Sequence, residues 1–496
     1  MDYIIGVDIG TSGTKSVAFD ITGGVLEASQ ITYPILNPQP HFFEQDPEVL
    51  FDAVIGSIAQ VVAGVQRKVA AARPAGVGFS SAMHGLIAMG NNGVPLTNCM
   101  IWTDTRASAF ADVLKNSPEG MAIYRATGTP VHPMSPLCKL GWMRTALPDV
   151  YRDAHKFIGI KEYVFFKLFG QYVVDESIAS ATGLFDIHLL RWHTAALEQV
   201  GIAPDRLSRP VPVTHSLKGV DVRFAGAMGI ACDTPFVVGG SDGCLANLGA
   251  GIIHPGEVAV TIGTSGAIRT MWPSARTDAK ARTFSYVLSH SVHVVGGAIN
   301  NGGIILRWLR DSFGSAGSSD DEAFRTLTAA AAAVSPGAEG LLFLPYLSGE
   351  RSPYWNAAAK GVYFGLQLHH GKPHFIRAAL EGVIYSLYTV GKVLEELTGP
   401  IRTIHANGGF AKSPFLLQLL ADVFNRPVEV RESVEGGARG AFLIVMKALG
   451  NIRDFAAMDN RALPKVVYEP NAGRHACYQV NVARFERLYD KVKDEF

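Results

Sequence analysis

The pentapeptide Ile-Gly-Thr-Ser-Gly occurs at residues 9–13 and again at 262–266, once near the start of each half of the chain. Both copies follow β-type runs, Tyr3-Ile-Ile-Gly-Val-Asp8 and Glu257-Val-Ala-Val-Thr261. A strand that runs into a Gly/Thr/Ser turn presents backbone N–H groups and hydroxyls to an anion with no side-chain bulk in the way. Two such turns facing one another can hold a polyphosphate from both sides. The plainer reading is a pair of β-turns that match by accident, so the repeat constrains the fold before it settles the function.

At 496 residues the chain is long enough for two or three domains. Lys plus Arg and Asp plus Glu both number 44, and without a basic excess neither nucleic acid nor an anionic membrane is an expected partner. Apolar residues make up 48% and charged ones 18%, the balance of a large, well-buried enzyme. The five cysteines are scattered with no Cys-x-x-Cys pair, as for reduced thiols in a cytoplasmic protein. The chain opens directly into a strand, so no signal peptide is expected, and no apolar run reads as a membrane span.

Residues 4–9, 15–20 and 25–33 read as three strands. Asp46 caps a helix with Pro47 at its first position, and Val54, Ile55, Ile58, Val61, Val62 and Val65 mark one face of it. Strands are expected again at 74–81 and 100–105. Strand and helix alternate up to Asp242, and the Gly-rich stretch 247–257 is the candidate linker. The second half repeats the programme, with strands around Gly263, a helix after Asn300-Asn-Gly-Gly303, and helices at 373–397, 415–424 and 438–449 around a strand at 401–406. Two similar α/β domains follow from that order.

Asp8 and Lys15 flank the first turn. A carboxylate at a strand end can hold Mg²⁺ and a lysine can neutralise phosphate oxygens; the second copy has Thr261 and Ala267 instead. Asn407-Gly-Gly-Phe-Ala-Lys412 is a strand end, a diglycine and a helix start, where a ring or phosphate can approach the backbone. Placed on a strand, Trp102, Asp104 and Arg106 share one face and offer a plate, an acceptor and a fork of donors to a polyol. A structural ion pair beside a buried Trp fits the same letters. Met83-His84 ends the preceding strand. Asp242, in Gly239-Gly-Ser-Asp-Gly243, is placed to accept a proton from an attacking hydroxyl. The same five residues fit a nucleophile elbow with Ser241 as the nucleophile of a hydrolase. The chain contains no Walker-type loop, no Gly-x-Gly-x-x-Gly turn and no His-Glu-x-x-His pair.

Together these residues resemble the FGGY carbohydrate kinases, members of the actin-like ATPase superfamily, over nearly the whole chain. Asp8-Ile-Gly-Thr-Ser-Gly-Thr-Lys15 looks like the first phosphate motif, Gly263-Thr-Ser265 like the second, and Asn407-Gly-Gly-Phe410 like the nucleotide turn. Met134-Ser-Pro-Leu-Cys-Lys139-Leu-Gly-Trp142-Met143 fits one family signature, with Ala146 where a polar residue is usual. Gly361-Val-Tyr-Phe-Gly365-Leu366 with His374-Phe-Ile-Arg-Ala-Ala-Leu-Glu381 fits the other.

The resemblance implies an α/β fold of two actin-like (ribonuclease H-like) ATPase domains around a central nucleotide cleft. The domains are expected at 1–246 and 257–450, with a C-terminal extension at 451–496. ATP and Mg²⁺ are the implied cofactors: Asp8 for the metal; Thr11, Ser12, Lys15, Gly263, Thr264, Gly303, Gly408, Gly409 and Lys412 for the nucleotide; Asp242 as the base. Met83, His84, Trp102, Asp104, Arg106 and Lys161 are the implied substrate residues. Within the family, Ser80-Ser-Ala-Met-His84, Gly128-Thr-Pro-Val-His-Pro-Met134 and Ala259-Val-Thr-Ile-Gly-Thr-Ser-Gly-Ala-Ile-Arg269 look most like gluconate kinases. Met83-His84 also matches xylulokinases, except that Ala82 stands where those have Gln. A sugar acid is therefore the expected substrate, with Arg106, Lys161 and Lys139 as candidates for its carboxylate. A ketopentose or polyol is the alternative, followed by the hydrolase and a non-enzymatic sugar sensor; a homodimer is compatible with all of them.

Overall fold

The computed structural model describes residues 1–313, 320–431, 436–455 and 464–496. Part of the expected C-terminal extension, residues 456–463, lies outside the described residues. Two large sheets organise the rest. The first contains β1 (Asp2–Ile9), β2 (Gly13–Phe19), β3 (Val25–Thr32), β4 (Arg73–Ser81), β5 (Ser216–Leu217) and β6 (Phe236–Ser241), in the order β5-β6-β4-β1-β2-β3. The second contains β7 (Glu257–Ile262), β8 (Gly266–Trp272), β9 (Phe284–Ser289), β10 (Val292–Ile299), β11 (Thr403–Asn407), β12 (Val428–Arg431) and β13 (Lys465–Tyr468), in the order β9-β10-β8-β7-β11-β12-β13.

The duplication expected from the repeat is present in the pairing. In the first sheet β1 is antiparallel to β2, β2 to β3, and β1 and β6 run parallel to β4. In the second β7 is antiparallel to β8, β8 to β10, and β7 and β12 run parallel to β11. The two turns differ by one residue: Ile9 pairs with Thr14, but Ile262 pairs with Gly266. Asp8 consequently faces Lys15 across its hairpin as Thr261 faces Ala267 across the other.

Helix α1 (Pro47–Lys68) begins as its sequence dictates, with the Asp46 carboxylate accepting from the Glu48 N–H at 2.9 Å. By length and composition α1 could cross a membrane, which the sequence reading missed. Its apolar face, Val54, Ile58, Val61, Val62 and Val65, is instead buried against the first sheet in a core shared with Ile5, Val7 and Phe79. Beyond β6 comes α2 (Asp242–Gly249), so the expected linker is helical for its first three residues. The second domain adds α3 (Gly303–Phe313), the long α4 (Lys372–Thr398) and α5 (Pro414–Phe424). With α7 (Ala472–Val492), α4 and α5 build the second core around Ile384, Leu387, Leu420 and Phe485.

Between α5 and α7 in the chain, α6 (Gly436–Ala448) departs from the simple division of the sequence. It belongs to the second half yet packs on the first sheet, sharing a core with Ile4, Val17, Phe19 and Val237. The contact is backbone on backbone. A Cβ at Gly6 would lie 2.0 Å from the Ala438 carbonyl oxygen, and one at Gly440 would lie 2.1 Å from that of Leu245 in α2. Small residues on both surfaces let α2 and α6 cross closely, which ties the helix that starts at Asp242 to both halves.

Candidate active site

Both Gly-Thr-Ser turns face one cleft. A cavity of about 250 Å³ is lined by Thr11 from the first turn, Gly263 and Ser265 from the second, and Asp242 at the start of α2. Met83, His84 and Trp102 form its first-domain wall, and Arg269 and Arg351 reach it from the second domain. A neighbouring cavity of about 290 Å³ also has Gly263 in its wall, so the second turn is the partition between them. Gly303, Thr264, Gly409 and Lys412 line this second space, floored by Leu306, Phe324, Leu327 and Phe410 and edged by Arg307 and Arg310. An apolar slot opening onto a Gly/Thr turn and cations suits a flat base carrying phosphates.

The turns are tight because their glycines permit it. The Gly303 N–H donates to the Gly263 carbonyl at 2.7 Å, and a Cβ at 303 would meet that oxygen at 2.5 Å. Gly408 has φ +96°, and a Cβ there would meet the Ile262 carbonyl oxygen at 2.6 Å. In the first turn Thr11 accepts from the Trp102 indole N–H at 2.9 Å, so the first Gly-Thr-Ser turn and the first-domain wall brace each other.

Asp242 is half-buried, its open edge turned to the cavity, and Oδ1 accepts from the Gly243 N–H at 2.6 Å. Burial, reinforced by the Asp8 carboxylate, raises its pKa to about 6. Asp8 lies against the first turn of α6, where a Cβ on Gly437 would come within 2.5 Å of its carboxylate. Among the described residues no group of three or more His, Cys, Asp or Glu side chains could hold a metal by itself. A Mg²⁺ carried by nucleotide phosphates needs one or two carboxylates and water, and Asp8, beside the turn and near Asp242, fits that need.

His84 sits at φ +68°, a strained backbone for a residue with a Cβ. Its Nδ1 lies 2.8 Å from the Ala181 carbonyl, which can only accept, so Nδ1 carries the proton and Nε2 is an acceptor. Burial, then the Lys139 charge, pushes its pKa down to about 3, which keeps the ring neutral. Lys139 is fully buried and donates to the carbonyls of His84, Met100 and Ile101 at 2.6, 3.0 and 2.8 Å. This lysine holds together the two segments that carry His84 and Trp102.

Several expectations for the substrate side change. The strand foreseen at 100–105 ends after Cys99–Met100, and Trp102 to Arg106 form turns, so they do not share a strand face. Trp102 reaches the cavity, whereas Asp104 and Arg106 turn into the wall. The Asp104 carboxylate accepts from the Phe43 N–H at 2.8 Å and pairs with Arg106, which also binds Glu44 at 2.6 Å. Lys161 is buried against Asp175 at 2.7 Å and the Gly240 carbonyl at 2.9 Å. Arg106, Lys139 and Lys161 thus have intramolecular partners, and the cations lining the cavity are ones that the sequence reading did not single out. Ser241 is fully buried and accepts from the Ser177 hydroxyl at 2.8 Å, with no histidine base among its hydrogen-bond partners in the described residues, a poor setting for a nucleophile. Ser12 and Lys15 belong to the first hairpin but are not among the residues that line either cavity; Lys15 faces Asp8 across that hairpin.

Comparison with known proteins agrees with this architecture. Residues 3–249 match the N-terminal domain of the FGGY family of carbohydrate kinases and residues 258–449 match its C-terminal domain. A gluconokinase of Bacillus licheniformis is 47% identical over 91% of this chain and 89% of its own length. A xylulose kinase of Staphylococcus epidermidis is 30% identical over 99% of this chain and 97% of its own. Among solved structures, a gluconate kinase from Lactobacillus acidophilus matches with a TM-score of 0.93 and 34% identity, over 99% of this chain and 98% of that one. A ligand-bound xylulose kinase from the same species gives the same score and identity over 99% of each chain. With both domain matches in sequence order and both Gly-Thr-Ser turns in one cleft, this chain belongs to the FGGY family of carbohydrate kinases, with its actin-like ATPase fold.

Proposed function

We propose that the enzyme transfers the γ-phosphoryl group of ATP to the terminal hydroxyl of gluconate, giving 6-phosphogluconate and ADP. The observation that carries this reading is Asp242, a carboxylate with a raised pKa, in the same cavity as both Gly-Thr-Ser turns. The 47% identity to a gluconokinase supports the sugar acid over a ketose.

The nucleotide's base occupies the slot floored by Leu306 and Phe410, and its phosphates pass Gly263 towards the reacting cavity. Backbone N–H groups of the two turns and Lys15 bind phosphate oxygens. Asp8 would help to hold a Mg²⁺ ion, whose charge would offset that of the phosphate oxygens. The sugar chain lies along Met83 and Trp102, with a hydroxyl donating to His84 Nε2. Asp242 takes the proton of the attacking hydroxyl as its oxygen bonds to the γ-phosphorus. The bond to the β–γ bridging oxygen breaks, and its electron pair leaves with ADP. Catalysis of this kind depends on alignment and charge stabilisation. Asp104, Arg106, Lys139 and Lys161 act behind the wall by fixing its shape. Scattered cysteines and a need for ATP support a cytoplasmic enzyme.

A ketopentose is the second reading, favoured by the equal structural likeness to a xylulose kinase. Coupled ADP-release assays with gluconate, xylulose and glycerol decide between them. The expected result is the highest kcat/KM for gluconate. Preference for xylulose favours the second reading, and ADP release that no substrate stimulates removes both.

A further inference from the structure

Two arginines share the wall of the reacting cavity with Asp242. Arg269 projects from β8 and Arg351 from the loop that follows Ser348, and among the described residues they are the cations in its wall. The Arg269 side chain is half-buried, and its Nε has no hydrogen-bond partner. Arg351 is buried and held in plane: Nε donates to Asn300 Oδ1 at 2.7 Å and Nη2 to the Ile299 carbonyl at 3.1 Å. Each guanidinium is pushed below its ordinary pKa by burial, and the Arg269 charge lowers that of Arg351 further. Asp242, and for Arg351 also Glu350, offsets part of this positive charge, and an anion bound between the two guanidiniums would offset more.

Position tells which anion. A Cβ on Gly243 would meet the Met83 methyl carbon at 3.2 Å and Arg269 Nε at 3.3 Å, so Arg269 stands beside a sugar-side residue. The absence of a side chain at 243 makes room for both. The Arg351 guanidinium lies 4.9 Å from the ring centroid of Trp102, on the substrate wall. The slot on the other side of Gly263 has cations of its own for the phosphates, Arg307, Arg310 and Lys412.

We infer that Arg269 and Arg351 together form the receptor for the substrate's carboxylate, and that Arg269 sets the preference for sugar acids over neutral sugars. This rests on the kinase reading above and sharpens it. Both arginines belong to the second domain, while Met83, His84 and Trp102 belong to the first. A bound sugar acid therefore bridges the cleft, and a neutral sugar does not.

The test compares gluconate with glucitol, which has a CH₂OH group where gluconate has its carboxylate. Binding of each to the full chain is measured by calorimetry with a non-hydrolysable ATP analogue present, alongside steady-state turnover. Wild-type turnover of gluconate judges the proposed function; the variants judge this inference. Arg269→Met is expected to weaken gluconate about 10- to 100-fold, the range for a charge-assisted hydrogen bond, and to collapse the gluconate-to-glucitol affinity ratio. Arg269→Lys, which keeps the charge and loses the fork, should fall between, and Arg351→Met should lower the same ratio. An unchanged ratio in all three variants overturns the inference. So does a fall of kcat beyond 100-fold with gluconate affinity intact, which would assign Arg269 to the transferred phosphoryl group.

Discussion

Replacing Asp242 by Asn tests whether the base is poised by its surroundings, because activity and stability should move in opposite directions. A carboxyl that titrates near 3.8 when unfolded and near 6 in the fold is harder to ionise in place. The sign follows from proton binding: between those values the folded chain holds the proton more tightly. The fold therefore loses stability as pH rises through this window, with no loss below about pH 3.8 and the full loss above about pH 6. At 1.36 kcal/mol per pH unit the full effect is roughly 3 kcal/mol. Asp242 is half-buried and its open edge faces cavity water, so screening reduces this to about 1.5 kcal/mol. Asn cannot ionise, yet its side-chain oxygen can still accept from the Gly243 N–H.

The measurement is the thermal midpoint of both proteins at pH 4.5 and pH 8, in EDTA and without nucleotide. The advantage of Asp242→Asn should be about 1 kcal/mol greater at pH 8, or roughly 2–4 °C for a domain of this size. Turnover at pH 8 should fall roughly 10²–10⁴-fold while ATP still binds. A midpoint difference that does not change with pH would refute the burial argument. Near-normal turnover would remove Asp242 from the mechanism.

With both substrates subsaturating, wild-type activity should rise with pH through about 6 as Asp242 ionises; a flat profile from pH 5 to 7 would contradict that assignment. Gly303→Ala pushes a Cβ onto the Gly263 carbonyl and should raise KM for ATP more than KM for gluconate, read from initial rates. Ser241→Ala should leave kcat within about threefold of wild type, whereas complete loss of activity would revive the hydrolase reading. Lys161→Met strands a buried Asp175 and should destabilise the fold by about 3–5 kcal/mol in urea unfolding, with KM for ATP unaltered in the protein that remains folded.

Local chemistry was readable from the sequence wherever the signal lies within a few residues. The Asp46 cap, the Gly-Thr-Ser turns and the strand-to-helix passage at Asp242 depend on neighbours in the chain, and each forms where those neighbours require. The segment 100–106 was misread because alternation alone decided it. Its turns depend on Asp104 meeting the Phe43 N–H and on Arg106 meeting Glu44, partners some sixty residues away. The apolar slot was hidden for a related reason: Leu306, Phe324 and Leu327 belong to no motif, and only the tertiary fold brings them together around one space. Lys139 was legible as part of a signature, but only the fold reveals that its ammonium meets three carbonyls.

Arg269 carries the lesson furthest, because the duplicated scaffold supplies its own control. Strand register places Val17 opposite Gly6 in the first sheet and Arg269 opposite Ala259 in the second. With Asp8 matched to Thr261, those two positions are equivalent. Val17 is fully buried in the core that α6 shares with the first sheet, and α6 can lie that close because Gly6 has no side chain. At the equivalent place in the second sheet, Gly243 of α2 leaves a gap, and the side chain that points into it is a guanidinium. One position of a repeated fold thus serves as core in one copy and as cavity wall in the other. Internal symmetry predicts the backbone of both halves. The covering helix decides whether a valine or an arginine can stand there, and with it which half can offer a cation to the cavity.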